Sequence, residues 1–212
     1  MQRNILLKNP IILISSAETK GCYTMIFSHT AVIDIPNTDK PIEAYEDRCI
    51  RDIECLKYLH REAGNTVNVL EYIVSPDKME RVSVVRPNTQ HVPHLLRSVF
   101  GDDCFDVREE VTYDFKAHAG TMTTKMENPS MHNTISSSGG FSLRSGAPFA
   151  PSSVINELKT DVRADIWLVG GAIEKAVVNE LQKRSSQSKA LIKSWINANE
   201  VGVMPSTEER AA

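Results

Sequence analysis

An α+β domain is what this sequence predicts, with a curved antiparallel sheet of seven strands wrapped round one long C-terminal helix. Three observations support that expectation. Between residues 66 and 168, segments of apolar/polar alternation follow one another, separated by turn residues and by only one short helical pattern. One long pattern of helical period then runs to about Asn199. Strands joined by short turns favour an antiparallel meander with one face on a core, and the long helix is the element able to cover that face.

The first strand is read from Phe27, His29, Ala31, Ile33 and Ile35, which alternate with Ser28, Thr30 and Asp34, and Pro36 ends it. A helical region follows. Asp39 is its expected N-cap, Pro41 lies in its first turn, and Ile42, Tyr45, Cys49, Leu56 and Leu59 recur at helical spacing. A break near Arg51-Asp52 divides it, and Gly64-Asn65 stops it. Strands over 66–74 and 79–86 flank the turn Ser75-Pro76-Asp77-Lys78. Val92 to Phe100 reads as a short helix closed by Gly101.

The clearest alternation sets Phe105, Val107, Val111, Tyr113 and Phe115 on one face, with Glu109 among them. A strand near 120–127 carries Met122, Thr124 and Met126 on one face. In the next, near 133–143, the run Ser136 to Gly140 suggests a bulge or sharp bend. Residues 145–151 read as a loop. Over 153–168, Val154, Leu158, Val162, Ala164, Ile166 and Leu168 share a face. The long helix, 171–199, has apolar ends built on Ile173, Val177, Leu181 and on Leu191, Ile192, Trp195, Ile196. Its middle, 182–189, is polar all round, so the helix either has a wet centre or bends there.

These patterns divide the chain into a flexible leader (1–25), one domain (26–199) and a frayed tail (200–212). Lys8, Asn9 and Pro10 interrupt the leader's apolar stretch, against a signal peptide, and Met25 could serve as an alternative start. A cytoplasmic protein is expected, or a mitochondrial one if the leader is a targeting segment.

The chain has 212 residues, 41% of them apolar, and a net charge of −3, enough for a sizeable core and no electrostatic basis for a nucleic-acid partner. No apolar run approaches the length of a membrane helix. The four cysteines form no Cys-x-x-Cys pair and read as reduced thiols. His91 and His94 flank Pro93 with no cysteine nearby, so neither a metal nor another cofactor is expected.

Some local motifs resemble the START-like superfamily, which includes polyketide-cyclase-like and lipid-transfer domains. The segment Glu157 to Lys175, ending Val169-Gly170-Gly171-Ala172-Ile173-Glu174-Lys175, looks like that superfamily's last strand and the start of its C-terminal helix. Trp195 falls where members of an uncharacterised bacterial branch carry a late tryptophan, and Pro93 to Gly101 resembles that branch's short helix. The likeness covers roughly residues 26–199. The leader and the 145–151 loop depart from it. The resemblance implies a helix-grip fold with a ligand cavity and no catalytic set.

Gly170-Gly171 could cradle an anion at a helix N-terminus, but an antiparallel strand before it favours a tight turn. Glu174-Lys175 reads as a solvated pair in the first turn of the helix. Glu109 is the sharper case, because a carboxylate on an apolar strand face must be paired, protonated or at a rim. It could bind a ligand's polar head, or be satisfied by an inward Arg81 or His29. His29 reads singly as a core histidine, and with Glu109 and Tyr113 it could form a polar patch.

The residues expected at the ligand are His29, Glu109, Tyr113, Leu96, Phe100, Met122, Ile166, Ile173 and Val177. Leu95, Leu96, Val99 and Phe100 either pack on the sheet or form a lid that touches a membrane surface transiently, with Arg86, His91, His94 and Arg97 around it. Three functions stay open: a non-catalytic binder or carrier of a lipid or other small apolar ligand; a cyclase- or hydrolase-like enzyme using Glu109 with His29 or Tyr113; and an interaction module with a filled core.

Overall fold

The structure is a computed structural model that describes residues 13–19, 22–88, 90, 92, 94, 97–98, 105–131, 134–146, 148, 150–165 and 170–200. The strands are β1 (Leu13–Thr19), β2 (Cys22–Asp34), β3 (Thr66–Val74), β4 (Lys78–Arg86), β5 (Val107–Asp114), β6 (Ala119–Met126), β7 (Ile135–Ser145) and β8 (Ser153–Ala164). Among the described residues they form one antiparallel sheet in the order β1-β2-β8-β7-β6-β5-β4-β3. The helices are α1 (Pro41–Tyr45), which runs into a π-helical turn over Glu46–Ile50, α2 (Ile53–Glu62) and α3 (Gly170–Glu200). Strands β2–β8 and α3 make the expected α+β helix-grip arrangement, an antiparallel sheet with one long C-terminal helix.

An eighth strand is added to the expected seven. β1 comes from residues read as leader and pairs with β2 as a hairpin, Thr19 opposite Cys22 and Leu13 opposite Ser28. β2 therefore begins before Phe27, and its far side pairs with β8 from Thr24–Arg163 to Asp34–Ser153.

Turn chemistry sets the register of the meander. Between β3 and β4, the Ser75 hydroxyl accepts the Lys78 N–H and donates to the Lys78 carbonyl, both at 3.0 Å. Between β5 and β6, Asp114 Oδ1 accepts the N–H groups of Lys116 (2.8 Å) and Ala117 (3.0 Å). No bulge occurs in the Ser136–Gly140 run. β7 pairs through it in unbroken register on both sides. Gly139 is there because a Cβ would lie 2.2 Å from the Lys159 carbonyl oxygen, so the glycine permits a close strand approach. The irregularity lies in β3, between Val69 and Glu71.

The helical region does break at Arg51-Asp52. Asp52 caps α2 by accepting the Glu54 N–H at 2.9 Å. Asp39 does not cap α1. Lys40 occupies that position, without a side-chain cap bond, and Pro41 at the start of the helix has no N–H to satisfy.

α3 packs against β2, β8 and α2. Ile173 and Val178 are buried in its first half, and Ile192, Trp195 and Ile196 in its second. Glu174 is not the solvated residue expected. It is fully buried, and its Oε1 accepts the Ala164 N–H at 2.9 Å. The first turn of α3 lies against the end of β8, which turns position 174 inward, and burial pushes its carboxyl above the ordinary range.

Two buried regions flank the middle of α3. At one end, Ile33, Ile35, Tyr45, Leu143, Val154, Ile192 and Ile196 close the core with α1 and the last turns of α3. At the other, Val92, Phe105, Met126, Met131 and Ala164 gather round Ile173, beside Phe27, Val162 and Val178. Cys49 and Cys55 are free thiols. No helix among the described residues is long and apolar enough to cross a membrane.

Candidate functional site

A cavity of about 240 Å³ lies between α3 and the inward faces of β4–β8. Its walls are mainly apolar, with Val85, Val107, Met122, Leu158, Val162, Val177 and Leu181 prominent. Strand parity puts Val107 and Glu109 on one face of β5, and Met122 and Thr124 on the facing side of β6. The register joins them as Val111–Met122, Glu109–Thr124 and Val107–Met126.

α3 covers this space with Val177, Glu180, Leu181 and Arg184. Glu180 and Arg184 bond to each other at 3.1 Å. Arg184 is the lining residue from the polar stretch 182–189, and the helix runs through that stretch without a break.

Glu109 lies in the cavity wall with its side chain 19% exposed, and Arg81 approaches it at 3.8 Å. Burial pushes the Glu109 carboxyl above the ordinary range, against the pull of Arg81 and Arg184. His60 shares this neighbourhood. Burial, reinforced by Arg81 and Arg184, lowers it to about 4, so its imidazole is neutral at neutral pH. On the same inward face, the hydroxyls of Thr124 and Ser137 bond to each other at 2.7 Å. Thr160, 2% exposed, also borders the cavity, and its hydroxyl is buried with no hydrogen-bond partner among the described residues.

Of the residues expected at a ligand, Glu109, Met122 and Val177 come together in this wall. Ile173 is fully buried in the adjacent cluster with Val92 and Phe105. His29 is buried and stacked on Phe27, with ring centroids 6.2 Å apart, but it borders a separate depression beside Gly120 and Phe141. Burial, then Lys189, lowers its pKa.

Tyr113 faces inward yet does not join Glu109. Its hydroxyl donates to Glu46 Oε1 at 2.7 Å, and His118 Nδ1 lies 2.8 Å from the same oxygen. Glu46 opens the π-helical turn directly after α1, next to the buried Tyr45, and is itself buried. The expected patch of His29, Glu109 and Tyr113 is thus divided among three places. Leu96, Phe100 and Ile166 lie outside the described residues.

Sequence reasoning missed Thr160, Glu180 and Arg184. The available signal was the pair Glu180 and Arg184, four residues apart where the apolar helix stripe gives way to the polar stretch. No group of three or more metal-ligating side chains among the described residues could hold a metal ion.

Comparison with known proteins adds a family and a fold. The family model described as "Protein of unknown function (DUF2505)" matches residues 42–196. The crystal structure of TTHA0849 from Thermus thermophilus superposes with a TM-score of 0.53 at 16% identity, covering 82% of this chain and 98% of that one. The crystal structure of Ara h 8.0201 superposes with a TM-score of 0.51 at 10% identity, covering 83% and 99%. Identities this low show a shared fold alone. Among curated proteins, none matches the sequence.

Proposed function

We propose, from the premise that the chain belongs to this family of unknown function and has the START-like fold, that it binds a small apolar molecule without transforming it. The observation that carries this reading is the 240 Å³ cavity with mainly apolar walls between α3 and the sheet. A cavity of ~150 Å³ already admits benzene. The volume here is about one and a half times that, and it falls short of the ~300 Å³ at which ordinary drug-sized pockets begin. It suits a compact ring system better than a long acyl chain or a sterol.

An enzymatic reading has less support. It relies on Glu109 acting with His29 or Tyr113, and the Tyr113 hydroxyl is engaged by Glu46. A filled-core interaction module would have no need of the cavity.

Native mass spectrometry of the purified chain, with displacement of an environment-sensitive fluorophore, tests the proposal. Val177→Phe should narrow the cavity from α3 and obstruct a bound ring. The expected result is a co-purified small molecule or saturable dye binding in the parent protein and loss of it in a folded Val177→Phe variant. If the parent carries no adduct and binds no apolar probe, the proposal fails.

A further inference from the structure

β3 lies at one end of the sheet, with β4 on one flank and no strand on the other among the described residues. The exposed large apolar side chains of the described residues, Leu70 and Ile73 (50% each) and Val74 (39%), all belong to it. Free sheet edges commonly carry lysine, proline or several charges, which block further pairing. β3 has no lysine and no proline, and Glu71 is its one charge.

The register with β4 fixes the face of each side chain. Val67 is opposite Val85, Val69 opposite Ser83 and Val74 opposite Met79, and those three β4 residues are buried. Tyr72 is opposite Arg81 and packs against the core, so it too faces inward. Val69 and Glu71 meet successive residues of β4, Ser83 and Val82, which makes Leu70 the extra residue of a bulge. The inward positions are therefore 67 and 69, then 72 and 74. The alternation slips by one across Leu70 and Glu71.

That slip selects what can pair with the free flank. A regular strand alternates without interruption, so one that matches β3 before Leu70 has its side chains on the wrong faces after Glu71. A second copy of β3 carries the same slip. Laid antiparallel about a two-fold axis between Leu70 and Glu71, it sets Val67 opposite Val74 of the second copy, Val69 opposite Tyr72, and Leu70 opposite Glu71. Inward residues then meet inward residues along the whole strand, and each such pair is apolar. A shift of one residue either way opposes inward to outward side chains. The two Glu71 carboxylates stay on the outer face, each opposite a leucine and not directly opposite each other. We propose that two copies of this chain pair through β3, joining their sheets into one antiparallel sheet across a two-fold axis.

Sedimentation velocity of the full chain over a concentration series tests the proposal. The expected result is a rise from one chain mass to two as concentration increases. Leu70→Glu and Leu70→Lys then identify the surface and the register. Position 70 is half exposed, so both variants should fold, and melting curves check this. Both lose the leucine, but the proposed register puts residue 70 directly against Glu71 of the second copy. Opposite charges there attract and like charges repel, at two symmetric pairs. Leu70→Lys should therefore dimerise at least about fivefold more tightly than Leu70→Glu. A parent chain that stays monomeric up to about 1 mM overturns the proposal. A dimer that both variants leave unchanged overturns it as well, and so does one that both weaken equally.

Discussion

Trp195 donates its indole N–H to the Arg48 carbonyl oxygen at 2.9 Å, joining the last turns of α3 to the π-helical turn 147 positions earlier in the chain. The Tyr58 ring lies 5.1 Å from the Trp195 ring by centroids, so one side chain ties both helical segments to α3. Trp195→Phe keeps an aromatic ring and leaves the Arg48 carbonyl without this donor. The expected loss is about 1–3 kcal/mol of unfolding free energy, read from urea titration. No change in the urea midpoint would mean that the bond contributes nothing net.

Adjacent residues of α3 should differ in what they hold together. Val178 is fully buried against Phe27 and Val162, whereas Val177 lines the cavity. Val178→Ala should destabilise by about 2 kcal/mol, because it removes apolar contacts from a packed site. Val177→Ala should cost less than ~1 kcal/mol, since it enlarges a space that already exists. Paired thermal melts measure the difference, and equal losses would contradict the assigned helix face.

Glu109 makes stability depend on pH in a defined sense. Burial raises its carboxyl pKa above the ordinary value of 4.5, so the folded state holds this proton more tightly than the unfolded chain does. Its contribution to stability is full below 4.5 and is lost as pH rises through the folded-state value. Glu109→Gln removes that loss. Relative to the parent protein, the variant should gain melting temperature between pH 4 and pH 8. A constant difference across that range would show that the carboxyl titrates normally.

His60 should produce the opposite slope. Its folded-state pKa is lowered to about 4 from 6.5, so the unfolded chain binds this proton first. Stability is full above 6.5 and falls as pH drops towards 4. His60→Gln should flatten the acid limb of the stability profile in that window. NMR titration of the imidazole provides the direct check, and a midpoint near 6.5 would rule the effect out.

Strand parity made the sheet legible. Alternation from Phe105 to Phe115 put Tyr113 and Glu109 on the inward face, as in the structure, and Arg81, one of the two partners named for Glu109, approaches it at 3.8 Å. The partner of Tyr113 was less accessible, because parity gives a face and not a neighbour. Tyr113 meets Glu46, 67 positions earlier in the chain, and no local pattern links the two. The Ser136–Gly140 run has too little side chain for composition to distinguish a bend from a close strand approach, and Gly139 makes the second. The polar row of Ser83, Glu109, Thr124 and Ser137 depends on the relative register of four strands, which no single segment encodes.

The pairing of β2 with β8 has a consequence for how the molecule assembles. Thr24 meets Arg163 and Asp34 meets Ser153, so this ladder cannot zip until almost the whole domain has left the ribosome. Contacts so distant along the chain favour slow folding, since the entropy of closing the loop is lost before the ladder forms. Until then β2 would present a bare hydrogen-bonding edge, open to pairing with other nascent chains. The β1–β2 hairpin is local enough to form early and shields one flank of β2. A chain beginning at Met25 should therefore yield less soluble protein during expression than the full chain, with refolding slowed far less than yield is reduced.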